Sequence, residues 1–462
     1  MIKLSFNYRN LLGCLSLALL FVMTGCTMHP AGETQLRRTA LRAGKFFAKP
    51  YHQRQLPPLP IAATPRQLVA YALVDNTGVQ QAYWKWRSAI EQIPQAGTEP
   101  TTVMLNAGTL LTNGAASLAN STIGASNMGS SDIRWPSKMS VQAKRALRNA
   151  LAAGWKYQSA RFALRRDVLT AWYRYVRTTL LLRLTQRQLQ VVNSAVLLRQ
   201  AAISTGGSTV NWLSDQNSVD TLRAGISALR AKLPQLLARL NALLGRPAGA
   251  PLIPPAALPP LHLLKLTDNQ LLRLAVQRNP DLRALRELQK AGHLTIQRAK
   301  MQYIPNFDLG LSTSLDGTVQ NLTGAMVMPI FQYQSINASI AQARSDLRAT
   351  NVALRGKQVN LDAALTIDLT ALHNDQSRQR IFSRQILPRV GMIASLARTD
   401  YQQGTTGIQG QIQAQQMELE IQGTMLDLQT DALERMADLD AIVAMPLNHL
   451  PAKKKSVVAP HK

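Results

Sequence analysis

Two stretches of the chain alternate apolar and polar residues with a period of two, which predicts β-strands. In "NFDLGLSTS", Phe307, Leu309 and Leu311 fall on one face, and in "TTVMLNAGTLL", Leu105 and Ala107 share a face. A polar loop and a second apolar stretch follow each of them. We therefore expect two β-hairpins, with strands at about 101–113 and 121–134, and at about 306–316 and 321–331. Strands of about ten residues have the length of tilted membrane strands, although a soluble hairpin would show the same local pattern.

Very long helical patterns follow both hairpins. No proline occurs from Ser137 to Leu233, and the apolar residues step by three, four or seven positions, as in coiled coils. The spacing predicts a helix of about 65–70 residues, roughly 100 Å long, that reaches a break at 204–208. A return helix to about Leu244 should follow this break.

The second half of the chain repeats this arrangement. We expect a helix from about Tyr333 to Gln403, kinked at Pro388, and a return helix that ends near Val443. A glycine-rich break at 404–407 separates the two helices.

The segments before the two hairpins also align with each other. At a single offset, Asn76 meets Asn279 and Ile93 meets Ile296. We therefore expect two tandem repeats, each a helix, a β-hairpin and a long helical hairpin, at 62–246 and 266–447. The proline-rich segment 247–265 is expected to be an extended linker outside the core.

The N-terminus "MIKLSFNYRNLLGCLSLALLFVMTGC" has two basic residues and an apolar run too short to span a membrane, which predicts a signal peptide at 1–25. The residues before Cys26 resemble the bacterial lipobox, which implies that Cys26 carries palmitate as the first residue of a lipoprotein; Met23 stands where leucine is usual. In that pattern Thr27 favours the outer membrane. A plain signal peptide with an incidental cysteine is the alternative. We expect a lipid-anchored extended segment at 26–61 and a basic tail at 448–462.

The composition adds a large positive charge, with a formal net charge of +27 for 462 residues. Lipid phosphates would be a fitting partner for this charge, but basic residues spread over solvated helix faces would also explain it. Neither zinc-finger spacing nor an aromatic-interleaved basic patch occurs, so we expect no nucleic-acid partner. Cys26 is the one cysteine left after signal removal, and the mature chain therefore has no disulfide. Its stability must come from packing and assembly.

Motifs for catalysis are absent from the sequence. The seven histidines lack the spacing of metal ligands, and "STGGST" lacks the lysine of a P-loop. The glycines of "GTTGIQG" do not follow a strand, as those of a dinucleotide-binding loop would. We therefore expect no enzymatic activity, no cofactor and no metal site.

Four membrane strands in one chain cannot span a bilayer, because their open edges would leave backbone groups unpaired in hydrocarbon. A long helical hairpin likewise cannot bury its apolar stripe against itself. Both features predict a closed ring of identical subunits.

The whole pattern resembles the TolC family of outer-membrane efflux proteins over about 62–447. The landmarks are short motifs in a fixed order, namely Asn279-Pro280-Asp281-Leu282, Ile304-Pro305, Pro329-Ile330-Phe331, Tyr401, Gly404 and Ala414-Gln415. The helix "AYWKWRSAIEQIPQA" is similar to the branch that works with resistance-nodulation-division (RND) pumps.

The resemblance implies a mainly α-helical homotrimer with a twelve-stranded outer-membrane β-barrel and a periplasmic α-barrel. An inner-membrane RND pump and a periplasmic adaptor would dock on it, and it would be the exit duct for drugs, metals or other small solutes. A duct for type I secretion, or a lipid-anchored periplasmic coiled-coil adaptor or spacer, are the alternatives.

The resemblance also implies that "TDYQQGTTGIQGQIQAQQ" (399–416) forms the turn at the periplasmic mouth, with Gly404 in the turn and Tyr401 in the gate. The family's basic clamp and acidic ring would fall on Thr406, Gly410 and Gln413, which are uncharged. We therefore expect a mouth with weak cation selectivity. As the alternative, the gating charges lie at the other turn, where Asp215 and Asp220 follow Gly206 and Gly207.

Overall fold

The structure is a computed structural model of the chain. It describes residues 27–50, 53–98, 102, 104–111, 116–127, 133–204, 208–261, 264, 266–316, 320–328, 330–403 and 408–447. The predicted signal peptide 1–25, the lipidation site Cys26 and the basic tail 448–462 lie outside these residues.

Helices make up most of the described chain. In chain order the helices and strands are α1 (Glu33–Ala43), α2 (Pro65–Asp75), α3 (Thr77–Gly97), β1 (Met104–Thr109), β2 (Ser121–Ser126), α4 (Pro136–Ile203), α5 (Thr209–Leu244), α6 (Asp268–Arg278), α7 (Pro280–Lys300), β3 (Asn306–Ser314), β4 (Gln320–Val327), α8 (Tyr333–Ile381), α9 (Leu387–Gln402) and α10 (Ile408–Val443). Among the described residues, none of these helices combines the length and the apolar character needed to cross a membrane.

The long helices confirm the prediction from the apolar spacing. The first, α4, has 68 residues, and α5 is its return helix; α8 to α10 repeat the pattern in the second half. Pro388 does not end the second long helix. A wider π-helical turn at Phe382–Ile386 comes immediately before α9 instead. Because proline lacks an N–H and its ring would clash with the carbonyl four residues earlier, a wider turn at this place accommodates the ring.

The four strands form one antiparallel sheet in the order β1-β2-β3-β4. All four are shorter than the sequence predicts, and β3 differs least, ending at Ser314 instead of 316. β1 is six residues long, and β2 ends at Ser126 instead of 134, although Ile133 still bridges to Phe307. β4 ends at Val327, and the predicted strand residues Ile330 and Phe331 belong to a 3₁₀ turn. Pro329, which cannot donate a ladder hydrogen bond, separates the two.

The chain divides into two compact units, and each unit takes segments from both halves of the sequence. Unit 1 contains the chain up to Lys45, Tyr83–Trp155 and Arg283–Gly356, and therefore the whole sheet. Unit 2 contains Phe46–Ala82, Lys156–Leu282 and the chain from Lys357 onwards.

In unit 1 the segment after Cys26 is not extended throughout, which corrects the expectation for 26–61. Its residues Glu33–Ala43 form α1, because Leu36 and Ala40 lie on one face and are buried. The Arg37 guanidinium also pairs with Glu33 and Glu91, which fixes α1 against α3.

In unit 2 the two repeats use the same local structures. The side-chain oxygen of Gln67 accepts a hydrogen bond from the Thr64 amide at the start of α2, and Gln270 does the same for Thr267 at the start of α6. The two expected repeats therefore begin these helices with the same cap.

The proline-rich linker contributes to the core of unit 2, contrary to the prediction. Leu252 and Leu258 are buried. The Tyr175 hydroxyl donates to the Leu252 carbonyl (3.1 Å), and the side-chain amide of Gln429 donates to the Pro259 carbonyl (2.9 Å). Prolines prevent helix and strand here, but the leucines between them still gain free energy from burial.

Candidate functional site

The sheet of unit 1 has one apolar and exposed face. The register aligns Leu105, Ala125, Leu311 and Leu322 in one row across all four strands. Leu105 is 82% exposed and Leu322 is 77% exposed, so nothing in the described chain covers this row. This arrangement confirms that the residues of β1 and β3 with a period of two share a face.

The opposite face of the sheet is polar. The next row across the strands contains Asn106, Gly124, Ser312 and Asn321. Among the described residues, β1 and β4 each pair with one strand only, so both sheet edges have unpaired backbone groups. A sheet that exposes apolar side chains on one face and polar ones on the other matches the two environments of a membrane barrel wall.

Aromatic side chains gather where the strands meet the helices. The Trp135 ring lies 5.4 Å from the Phe307 ring, and its indole N–H donates to the Pro305 carbonyl. The rings of Tyr303 and Tyr333 lie 6.2 Å apart, and both are exposed. Exposed aromatic residues at the end of an apolar sheet are typical of a membrane–water interface.

The other candidate site lies at the turns of the long helical hairpins, in unit 2. In the first turn, α4 ends at Ile203, and the Ser208 hydroxyl caps α5 by accepting from the Asn211 amide. Gly206 and Gly207, which we expected in this turn, lie outside the described residues.

The second turn joins α9 to α10. Tyr401 belongs to the last turn of α9, but its side chain lies outside the described part of the structure. Gly404 and Thr406 also lie outside it. Gly410 and Gln413 belong to the first turns of α10, and both are exposed.

The two aspartates after the first turn differ in their surroundings. The Asp215 carboxylate lies 2.6 Å from the Arg199 guanidinium, and the two side chains are 19% and 15% exposed. Arg199 therefore compensates the charge of Asp215. Asp220 is exposed, and its carboxylate pairs with Arg223 one turn along the same helix.

Large apolar side chains near these turns are exposed, which the sequence analysis missed. They are Leu197, Leu198, Val210 and Leu213 at the first turn and Met392, Ile393 and Leu396 on α9. The sequence does indicate this exposure, because these residues continue the apolar spacing and make the apolar stripe wider than the seam of a single coiled coil. The end of each hairpin therefore has an apolar surface that one chain does not cover.

Neither a protein-family model nor a curated protein sequence matches the chain. Solved structures do. The outer-membrane channel OprN is similar with a TM-score of 0.69 and 15% identity, over 83% of this chain and 90% of OprN. CusC, described as forming a transmembrane channel, has a TM-score of 0.67 and 18% identity, over 85% of this chain and 98% of CusC.

The open state of the outer-membrane channel MtrE of Neisseria gonorrhoeae is similar with a TM-score of 0.68 and 20% identity, over 83% of this chain and 89% of MtrE. This chain has the fold of TolC-type outer-membrane channels. The fold prediction made from the repeats and landmark motifs is thereby confirmed for its mainly helical part.

Proposed function

We propose that the chain belongs to the TolC family and is the exit duct of a tripartite efflux system. It would pass small solutes from an inner-membrane RND pump, through a periplasmic adaptor, to the exterior. The observation that supports this most strongly is the four-stranded sheet with an exposed apolar row, a polar opposite face and two unpaired edges.

The sheet also supports a trimer. Unpaired strand edges are not tolerated in hydrocarbon, so neighbouring chains must supply the missing partners. Three copies of four strands would give a twelve-stranded barrel, a size within the range of bacterial outer-membrane barrels. Strand pairing between copies would place β1 of one subunit beside β4 of the next.

A lipid anchor at Cys26 would enter the same unit as the sheet. Thr27, the next residue, is held by its hydroxyl against that of Thr98, and the Met28 amide donates to the Gly97 carbonyl (2.8 Å). These residues belong to unit 1, as does the whole sheet. An acylated Cys26 and a membrane-inserted sheet would therefore use the same membrane, in line with a signal peptide at 1–25.

The hairpin turns would form the periplasmic mouth, with Tyr401 and Gly404 in the gate. The neutral residues Thr406, Gly410 and Gln413 favour a mouth with weak cation selectivity. The alternative acidic ring from Asp215 and Asp220 is less well supported, because Arg199 compensates the charge of Asp215. Asp220 would be its main contributor.

The test is the single-channel conductance and ion selectivity of the purified protein in a planar bilayer. We expect a stable conductance without a strong preference for cations. Strong cation selectivity that disappears in Asp220→Asn would keep the duct and overturn the neutral mouth. Well-folded protein that never inserts would contradict the duct and favour a lipid-anchored spacer.

Conductance does not separate an efflux duct from a duct for type I secretion, because both would conduct ions. Deletion of the gene separates them. An efflux duct predicts that the deletion strain becomes sensitive to small toxic solutes, whereas a secretion duct predicts the loss of an exported protein from the medium.

A further inference from the structure

A cavity of about 750 Å³ lies within unit 2, between α2, α4, α10 and the proline-rich linker. Its volume falls in the range of about 300–1,000 Å³ that is usual for sites of small organic ligands. Apolar side chains form most of its lining, namely those of Val69, Leu73, Leu169, Leu261, Leu433 and Met436. Such walls favour a ligand with an apolar body, because the ligand displaces water from them on binding.

One cation in the lining has no acidic partner. Arg66 lies in the first turn of α2, its side chain is exposed, and it forms no ion pair with any described residue. The helix dipole disfavours a positive charge in the first turn of a helix, so Arg66 does not stabilise α2 through its charge. Its guanidinium is therefore available to an anion, to which it can donate two parallel hydrogen bonds.

The other charged groups of the lining compensate each other. The Arg165 guanidinium lies 3.3 Å from the Asp440 carboxylate, which also accepts from the Leu447 amide (2.7 Å). Arg66 therefore leaves the lining with one excess positive charge. Apolar walls with a single excess positive charge fit an organic anion better than a cation.

Tyr173 adds a hydrogen-bond donor to the lining. It is 8% exposed, and its hydroxyl forms no hydrogen bond with a described residue. Burial and the charge of Asp440 raise the pKa of Tyr173 to about 12, although Arg165 acts against them. The hydroxyl therefore keeps its proton at neutral pH. Because a buried hydroxyl without a partner costs free energy, an acceptor oxygen of a ligand would remove this cost.

We propose that this cavity binds a small amphipathic organic anion, with Arg66 as the charge partner of its acidic group and Tyr173 as a further donor. The apolar body of the ligand would lie against the leucine and methionine side chains. Arg66 and Ala70 are exposed, so a ligand can enter beside α2. The site lies in unit 2 and depends neither on the membrane placement of the sheet nor on conduction through a duct.

The test is a calorimetric titration of the full-length protein in neutral detergent, with protein-free detergent as the blank. The probes are 2-naphthoate, its neutral analogue 2-naphthamide, and acetate. We expect one naphthoate to bind per chain and naphthamide to bind about tenfold more weakly, because a charge-assisted hydrogen bond is lost. Acetate, which lacks the apolar body, should show no saturable binding.

The variant Arg66→Gln should weaken the binding of naphthoate about tenfold and leave that of naphthamide unchanged. The matched control is Arg273→Gln, which removes the same charge from an exposed position of α6, the helix of the second repeat that corresponds to α2. An equal loss in both variants would be a general charge effect and would overturn the site. So would the absence of saturable naphthoate binding to well-folded protein.

A second variant tests the cavity itself. Ala70→Trp fills the cavity from an exposed position without changing a charge, and it should abolish the binding of both naphthalene probes. Unchanged binding would place the probe elsewhere and overturn the proposal. A chain that ends at Leu447 identifies a competing occupant. If naphthoate binds only to this shortened chain, the segment 448–462 occupies the cavity and the proposed ligand is wrong.

Discussion

Ala444 is the one described non-glycine residue with a positive φ, at 55°. It ends α10 in the same way as Gly245, with φ at 75°, ends α5. The Gly245 amide donates to the Ala242 carbonyl, and the Ala444 amide donates to the Ala441 carbonyl. The second repeat therefore keeps the left-handed helix end of the first without its glycine.

We predict that Ala444→Gly stabilises the protein. The left-handed conformation costs an alanine about 1 kcal/mol, and glycine does not have this cost. The thermal unfolding midpoint of the purified protein in detergent should rise.

The reverse change, Gly245→Ala, is the matched control and should lower the unfolding midpoint. A Cβ atom at Gly245 would lie 3.0 Å from both the carbonyl oxygen and Oδ2 of Asp75, so steric crowding adds to the backbone strain. An unchanged midpoint in both variants would contradict the strain argument.

Asn76 and Asn279 are a second equivalent pair. The Asn279 side-chain amide donates to the Ile442 carbonyl, and its side-chain oxygen accepts from the backbone amides of Asp281 and Leu282. The Asn76 side-chain amide donates to the Leu243 carbonyl, and its side-chain oxygen accepts from the Val79 backbone amide. Each asparagine thus caps one helix and binds the end of the return helix of its own repeat.

We predict that Asn279→Ala lowers the free energy of unfolding by about 1–2 kcal/mol, because a helix cap and a bond between helices are both lost. Asn279→Asp should cost less, since a carboxylate still accepts from the two amides. Chemical unfolding in detergent, with Asn76→Ala and Asn76→Asp in parallel, measures this. Equal costs for Ala and Asp would mean that the cap contributes nothing.

The sequence predicted these residue roles only in part. Asn76 and Asn279 were matched by the repeat offset, and the same offset relates Thr64 to Thr267, a signal that was missed. Ala444 could not be predicted, because alanine does not mark a left-handed position. Its conformation is imposed by the end of α10, where the Met445 amide donates to the Asp440 carbonyl.

Between elements, a series of ion pairs joins α4 to α10 within unit 2. The Arg174 guanidinium binds Glu434 through two bonds of 2.8 and 2.7 Å, and Arg177 binds Asp427 at 2.6 Å. Arg165 lies 3.3 Å from Asp440. As the arginines advance along α4, their partners step backwards along α10, so the two helices are antiparallel.

We predict that Arg174→Lys lowers the free energy of unfolding by up to about 1 kcal/mol, because lysine cannot form the bidentate pair with Glu434. The loss should become smaller as salt is raised, since the arginine is about half exposed. Arg223→Lys is the control, because its pair with Asp220 is highly exposed and within one helix turn. A loss as large in Arg223→Lys would show that the geometry of the pair is irrelevant.

Sequence periodicity predicted the long helices better than the strands. Helix α4 follows from local spacing and the lack of proline, which are properties of one segment. Strand ends depend on the partner strand instead. β2 ends just before Asn127, whose side chain binds β3 in place of a ladder hydrogen bond. It donates to the Asp308 carboxylate (2.8 Å) and accepts from the Leu309 backbone amide (2.6 Å). No pattern in one strand encodes this contact.

At the scale of the molecule, the excess of basic residues leaves the few acidic ones in close groups. Burial raises the pKa of Asp368, Asp375, Asp431 and Asp438, and neighbouring carboxylates raise three of them further. Asp431 faces Glu434 and Asp427 on its own helix, Asp375 on α8, and the opposing charges of Arg177 and Arg435. The arginines do not fully offset the burial of these carboxylates.

The sign of the pH effect follows from these directions. A carboxyl group whose pKa is raised by folding binds its proton more tightly in the folded state. Its contribution to stability is therefore full below the ordinary pKa of 3.8 and is lost as the pH rises through the raised value. We predict that Asp431→Asn stabilises the protein at pH 7 and reduces the stability gained between pH 7 and pH 4.

Asp281 provides the opposite control, because its pKa is lowered by the Lys357 ammonium and by Ser159, although burial acts against them. Its contribution is present above pH 3.8 and is lost as the pH falls through the lowered value, so Asp281→Asn should destabilise the protein at pH 7. Unfolding midpoints of both variants from pH 7 to pH 3 measure the two effects. If the carboxyl groups with raised pKa dominate, the proposed trimer stays assembled at pH 4. Dissociation there would mean that the groups with lowered pKa and the growing positive charge outweigh them.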